Sequence, residues 1–284
     1  MFKLVKTIYI IMLILFCINM LNSEIIKNAE SISLGGVQTV LTKNIYSLFD
    51  NPAVLCTINH IELGVSYMPL YGMEDLYSLK ILSVLPLKNF TVGGGFYKLT
   101  AENLYHYSII AAGIGFPLLH YLYSGITLKY IMTGFNKPDN ELDEINDSTS
   151  AISINLGLFC KINKSVRLGI CGKNFNNPQL QFSSKNYRKQ DIRYFNFGAK
   201  INLRENFAIF VEEEFAKSKD LSTNFGAELS FYNVIFARVG MRSSEQLSVG
   251  TGVNLSFITI NFGLNTNSEI GNLYQLDFIL KYSK

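Results

Sequence analysis

Apolar and polar residues alternate with a period of two from His60 to the end of the chain, which is the strand period. "ISINLGLFCKI" (152–162) puts Ile152, Ile154, Leu156, Leu158, Cys160 and Ile162 on one face, against Ser153, Asn155, Gly157, Phe159 and Lys161 on the other. "LSTNFGAELSF" (221–231), "LSVGTGVNLSF" (247–257) and "YQLDFILKY" (274–282) repeat the scheme, and no helix-period stripe follows residue 60. About fourteen strands are predicted, near 60–67, 76–86, 89–98, 104–116, 120–133, 149–162, 165–174, 190–203, 206–215, 221–231, 233–241, 246–257, 258–265 and 272–282.

The joins between them alternate in length. Those at 87–89, 118–120, 163–165, 204–206 and 232–233 are tight, and Phe257–Ile258 leaves almost no connection. The intervening ones are longer and polar, above all 134–148 and 175–190. Short turns at one end and long loops at the other are the asymmetry of an up-and-down barrel in an outer membrane. A soluble sandwich is the competing reading. Its polar faces would carry many Lys and Glu, whereas these carry mainly Asn, Ser, Gly and Thr, and sandwiches favour Greek-key connections. The expected fold class is therefore all-β: a transmembrane antiparallel up-and-down β-barrel. A basic side chain facing lipid at the bilayer midplane costs roughly 2–4 kcal/mol, so in "FNFGAKINL" (195–203) Lys200 must face inward and Phe195, Phe197, Ala199 and Ile201 outward. By the same alternation Arg167, Lys173, Lys200, Glu212, Glu214, Glu228 and Arg238 form a charged belt on the lumenal side. Glu213 falls on the lipid side, near the long-loop end of its strand.

The chain before the first strand breaks the pattern. Residues 1–23 combine a basic start, "MFKLVK", with the apolar run "TIYIIMLILFCINML" and a small residue, Ser23. They read as a cleaved signal peptide, and the run is short for the roughly 20 residues of a membrane helix; an uncleaved anchor is the rival reading. Residues 24–58 are compact, apolar and non-alternating. Fourteen strands enclose more space than wall side chains fill, since about eight strands is the size that fills itself. The 24–58 segment is accordingly expected to fold into the lumen as a partly helical hatch, with 59–284 as the barrel. Ile45, Leu48 and Phe49 fall at helical spacing, Pro52 is expected to end that helix, and Gly35-Gly36 lets the chain turn.

Composition agrees. Of the 284 residues 48% are apolar and 13% aromatic, with 17% charged against roughly 25% in soluble domains. The formal net charge of +3 falls to +1 without Lys3 and Lys6, and no basic patch points to nucleic acid. Cys56, Cys160 and Cys171 remain after the leader, an odd number, with Cys160 and Cys171 on opposite faces, so no disulfide framework is expected. The histidines have no ligand-like spacing with the cysteines, so neither metal nor cofactor is implied. Gly93-Gly94-Gly95, Gly113 with Gly115, and Gly250 with Gly252 open no helix. They read as kinks or as places where the hatch approaches closely, rather than as phosphate loops. Glu212 and Glu214 read as partners of Arg238 or Lys200 rather than as an acid–base pair, and Asp139 to Asp147 as a solvated acidic loop.

"SLGGVQTVLTKNIYSLFDNPAVL" (33–55) resembles the start of FadL-type and PorV/PorQ-type outer-membrane proteins, with Gly35 and Gly36 as the glycine pair and Asn51, Pro52 and Ala53 as the hatch motif. "RLGICGKNFNNP", "NFAIFVEEEF" and "LSVGTGVNLSFITINFGL" extend the resemblance to the PorV/PorQ branch. Thr42, Lys43 and Asn44 stand where that family often has small residues, and the chain ends in Lys284 rather than an aromatic. The resemblance implies a non-enzymatic fourteen-stranded barrel in the outer membrane, inserted by the barrel-assembly machinery and surrounded by lipid. It implies a ligand route beside Gly35, Gly36, Phe49, Asn51, Pro52 and Ala53 for hydrophobic small molecules, or binding of exported proteins in type IX secretion. A structural barrel without transport is the remaining alternative.

Overall fold

The computed structural model describes residues 26–73, 75–101, 105–135, 148–182, 188–190, 192–216, 221–243, 246–266 and 271–282. The predicted signal peptide and the acidic residues Asp139 to Asp147 lie outside these. Fourteen antiparallel strands close into one barrel. They are β1 (Ile61–Pro69), β2 (Leu76–Pro86), β3 (Thr91–Ala101), β4 (Tyr105–Pro117), β5 (Leu122–Phe135), β6 (Ser148–Lys161), β7 (Val166–Lys173), β10 (Tyr194–Arg204), β11 (Phe207–Ala216), β12 (Ser222–Phe231), β13 (Ile235–Arg242), β14 (Gln246–Asn254), β15 (Ile258–Asn265) and β16 (Leu273–Tyr282). Each pairs with its neighbour in sequence, β7 with β10 included, and β1 closes on β16 from Ile61↔Tyr282 to Tyr67↔Leu276. A closed ring has no free edge for lipid to meet.

The barrel satisfies the predicted orientation. On β1, Leu63 and Tyr67 are 48% and 45% exposed while Glu62 and Ser66, each just before one of them, are buried. On β6, Ile152, Leu156 and Leu158 are exposed while Ser153 and Asn155 are fully buried. Phe197 looks outward and Lys200 inward, as the cost of a lipid-facing ammonium demands. Glu213 does lie on the outer face, where both its oxygens accept the Thr223 hydroxyl at 3.0 Å. Cys56, Cys160 and Cys171 are all free thiols.

Two features differ from the sequence reading. The connection from β7 to β10 contains a small two-stranded sheet of its own, β8 (Gln179–Gln181) with β9 (Arg188–Gln190). It was hidden because three-residue strands are too short to show alternation. The side chain of Leu180 and that of Phe182 turn into the barrel's apolar upper core, Phe182 meeting Phe135 at 5.7 Å between ring centroids. β7 is also shorter than β6. Above it the Asn176 side chain continues the ladder, accepting from Ile154 N at 3.0 Å and donating to Ile152 O at 2.8 Å. The second difference is the β14–β15 connection. It is a three-residue turn, Leu255–Phe257, rather than an almost direct join.

The segment before β1 lies inside the ring. It holds a short α-helix, α1 (Ala29–Ser33), and two 3₁₀ turns, Ile45–Leu48 and Pro52–Thr57. Asn28 caps α1 by accepting from Ser31 N at 2.9 Å. At its other end Gly35 and Gly36, with φ of 70° and 99°, donate to Ile32 O and Ser31 O. That is the Schellman arrangement, and it needs residues free to adopt positive φ. Pro52 does not end the 45–49 turn; it opens the following one, where its missing N–H costs nothing. Asn51 caps that turn by accepting from Ala53 N.

Candidate functional site

The lumen is stoppered, and the wall is shaped to receive the stopper. Leu34, Val37, Thr39, Ile45, Leu48, Asn51, Ala53 and Leu55 are completely buried. A Cβ on Gly113 would come within 2.7 Å of the Leu48 side chain, and one on Gly115 within 2.7 Å of Pro52 O. Gly93 and Gly95 face Leu48, and Gly250 faces Ser33. These inward-facing strand glycines therefore mark the approach of the hatch. Gly252 differs: it makes room for Arg238 and Asn261.

Polar side chains on the wall then satisfy the hatch's main chain, which buried in irregular conformation has few partners of its own. Glu212 Oε2 accepts from Gln38 N at 2.9 Å, Thr39 N at 2.8 Å and Thr39 Oγ1 at 2.6 Å. Asp277 Oδ2 accepts from Ala29 N at 2.7 Å. In the opposite sense, Thr127 Oγ1 donates to Leu48 O, Asn155 Nδ2 to Phe49 O, Cys171 Sγ to Asp50 O and Lys80 Nζ to Lys27 O. Asn51 Nδ2 donates both to Thr39 O and across to Leu158 O on the wall. Lys173 reaches Gln38 and, at 3.3 Å, Asp50. Burial raises the Asp50 carboxyl pKa above its usual range, and the Lys173 ammonium opposes that shift.

The seven predicted belt residues all lie on the lumenal side, but they divide by task. Glu212 carries the hatch, with Asn196 Nδ2 on its other oxygen at 2.8 Å. Glu214 pairs with Arg242 at 3.0 Å, not with Arg238 or Lys200. Arg238 bonds Glu228 at 2.8 Å and approaches Glu30 of the hatch at 3.6 Å, while Lys200 lies 3.5 Å from Glu228. Arg167 Nη1 donates to Thr42 Oγ1 of the hatch at 2.9 Å. The sequence reading offers Glu212 and Glu214 either Arg238 or Lys200 as partner. The register instead places Glu228 directly opposite Arg238, whereas Glu214 stands opposite Ser222, at the Arg242 end of β12 and β13. Asp277, Lys80, Thr127 and Asn155 were not singled out in the sequence. Their only signal was a polar residue on the inward face.

With Glu212 replaced by Ala, two adjacent buried amides and a hydroxyl lose their acceptor. Leaving buried donors unsatisfied costs about 1–3 kcal/mol each. The hatch around Gln38 should then become cleavable by protease in barrels that still migrate as folded on unheated gels, whereas Glu213→Ala on the outer face should leave it protected.

Beneath the hatch, at the short-turn end, a cavity of about 710 Å³ remains. Its roof is the hatch around Thr42, Lys43 and Asn44, and its wall includes Glu62, Arg167, Lys200, Glu228, Arg238 and Lys281. It is polar. Asn51, Pro52 and Ala53 do not line it; they sit buried against Gly125 and Gly157 of the wall.

Several solved structures share this fold. The Pseudomonas putida toluene transporter TodX aligns over 91% of this chain and 98% of its own, with TM-score 0.60 and 13% identity. The Ralstonia pickettii toluene transporter TbuX aligns over 92% and 98%, with TM-score 0.63 and 11% identity. A Pseudomonas aeruginosa FadL homologue aligns over 90% and 98%, with TM-score 0.64 and 10% identity. At such identity the likeness is one of fold alone. By sequence, the model of the family described as "Type IX secretion system membrane protein PorP/SprF" matches residues 110–277. The chain belongs to that family. The family matched is PorP/SprF, and not PorV/PorQ, which the N-terminal motif resembles. No curated protein matches the chain.

Proposed function

We propose that this protein is a stoppered barrel that serves type IX secretion by binding exported proteins at the outer membrane, without catalysing a reaction. The observation that carries the reading is the hatch, whose buried main chain is bonded by side chains from strands all round the ring. A stopper so placed favours binding at the two mouths over passage through the middle, and membership of a secretion family supplies the class of guest. The PorV-like binding of cargo implied by the N-terminal motif is consistent with this reading. Lipid around the apolar outer face, and the barrel-assembly machinery during insertion, complete the partners.

The external loops at 134–148 and 175–190 are the proposed contact. Photo-cross-linkers placed in them should capture secreted proteins in intact cells, and removal of 183–187 should abolish capture while the barrel still inserts. Unchanged capture after both loops are shortened would sink the reading.

A second reading, passage of hydrophobic small molecules, draws on the upper lumen. There Tyr97, Leu99, Tyr105, Tyr107 and Ile131 form an apolar core closed by Leu180 and Phe182. It requires a hydrophobic molecule to co-purify with the barrel, which extraction and mass analysis of the detergent-solubilised protein would reveal.

A further inference from the structure

The cavity under the hatch is not explained by the stopper above it. Its rim is made by the short turns, where Asn206, Asn233 and Ser256 lie, so it opens toward the periplasm. Its volume of about 710 Å³ is that of a ligand site, within the usual range of roughly 300–1,000 Å³. Two features of its wall define a guest.

The first is an unanswered carboxylate. Glu62, on β1, is only 3% exposed, and its Oε2 has no hydrogen-bond donor among the described residues. Lys281, the cation opposite it in register, turns its ammonium to Asn254 Oδ1 instead. A buried carboxylate oxygen without a donor is costly, and a donor arriving from the cavity relieves it.

The second is the neutral lining. Asn59, Asn202, Asn206, Asn233 and Asn254 ring the cavity. Asn202 Nδ2 already donates to Lys164 O, and Asn254 Oδ1 accepts from Thr259 and Lys281. Asn59, Asn206 and Asn233, with no side-chain hydrogen bond among the described residues, each present two N–H donors and a carbonyl, the complement of a peptide group. Phe207, Phe236 and Leu255 supply apolar surface between them. Lys43 and Arg167 add positive charge, and Glu205 negative charge, with no salt bridge to any of the three among the described residues. A lipid headgroup does not carry a repeating amide, and a neutral glycan does not offer a cation for Glu62. A polypeptide carries both.

We propose that this vestibule is a docking socket for an extended polypeptide segment of a periplasmic protein, its main chain bonded by the asparagines and one Lys or Arg side chain delivered to Glu62. The proposal rests on the protein-binding reading above but concerns the opposite face of the barrel from the cargo loops.

The test uses the full-length barrel in the outer membrane, with a photo-reactive amino acid placed in turn at Asn59 and at Asn206. The expected result is that both positions label one and the same short segment of a periplasmic protein, with a Lys or Arg in it. A synthetic peptide of that segment should then bind the purified barrel, and Glu62→Gln should weaken that binding about tenfold without altering heat-modifiable migration on gels. Lys98→Gln, on β3 away from the vestibule, should leave binding unchanged. Adducts only with glycan or lipid, only with this chain's own residues, or none at all would each overturn the proposal. So would binding indifferent to Glu62→Gln. Capture from the external loops is scored separately in the same cells, so the socket fails alone if that capture persists, and the wider reading fails if it does not.

Discussion

Deleting residues 24–57 should turn a poorly conducting barrel into an open pore. Fourteen strands enclose a lumen wider than their own inward side chains fill, and in this protein the difference is made up by Ile26 to Ile58. The stopper removes its own apolar side chains from the lumen when it goes. It also unmasks Glu212, Asp277, Lys80 and Lys173, which water and ions then solvate. Single-channel conductance in a planar bilayer should rise by about tenfold or more, on the scale of barrels that keep an aqueous channel. Equal conductance for the full and shortened chains would mean that the space is filled by something else.

The second large effect belongs to Gly240. Its inward face lies directly against the backbone of Leu34 and Gly35, and a Cβ there would overlap Gly35 N. The obstructing atoms are main chain, held by the Schellman turn and by Met241 and Phe225 of the wall, so no rotamer change gives way. Overfilling a packed interior costs typically 1–3 kcal/mol. With backbone on both sides, Gly240→Leu should reach the upper end of that range or expel the hatch. Urea unfolding followed by gel mobility would register the first outcome, and protease cleavage near Gly36 the second. Gly94 provides the control. It looks outward with no atom closer than 4.0 Å to a Cβ, so Gly94→Ala should be nearly silent.

These two predictions show how far the residues themselves could be read. The period of two placed the strands to within a few residues, because every second side chain must meet lipid and the others must not. The same rule put Lys200, Glu212 and Arg238 on the inside before any contact was known. The glycines on the strands were also legible as places of close approach, although not which hatch atom each would meet. The α-helix Ala29–Ser33 and the β8–β9 sheet left no comparable trace, since elements of three to five residues span too few repeats of their period to reveal it. The hatch motif was visible as Asn51-Pro52-Ala53, but not that Asn51 caps the following turn and bonds Leu158 O of the wall.

What the amino-acid order determined alone is thus the alternation, the number of strands and the side that faces hydrocarbon. These are local consequences of side-chain transfer energies repeated along each strand. Only the tertiary structure decided the partners: Glu212 to the hatch amides, Glu214 to Arg242, and Glu62 Oε2 to no donor among the described residues. Such pairings depend on ring closure and register, which bring together residues up to 248 positions apart, and no stretch of sequence carries that distance within itself.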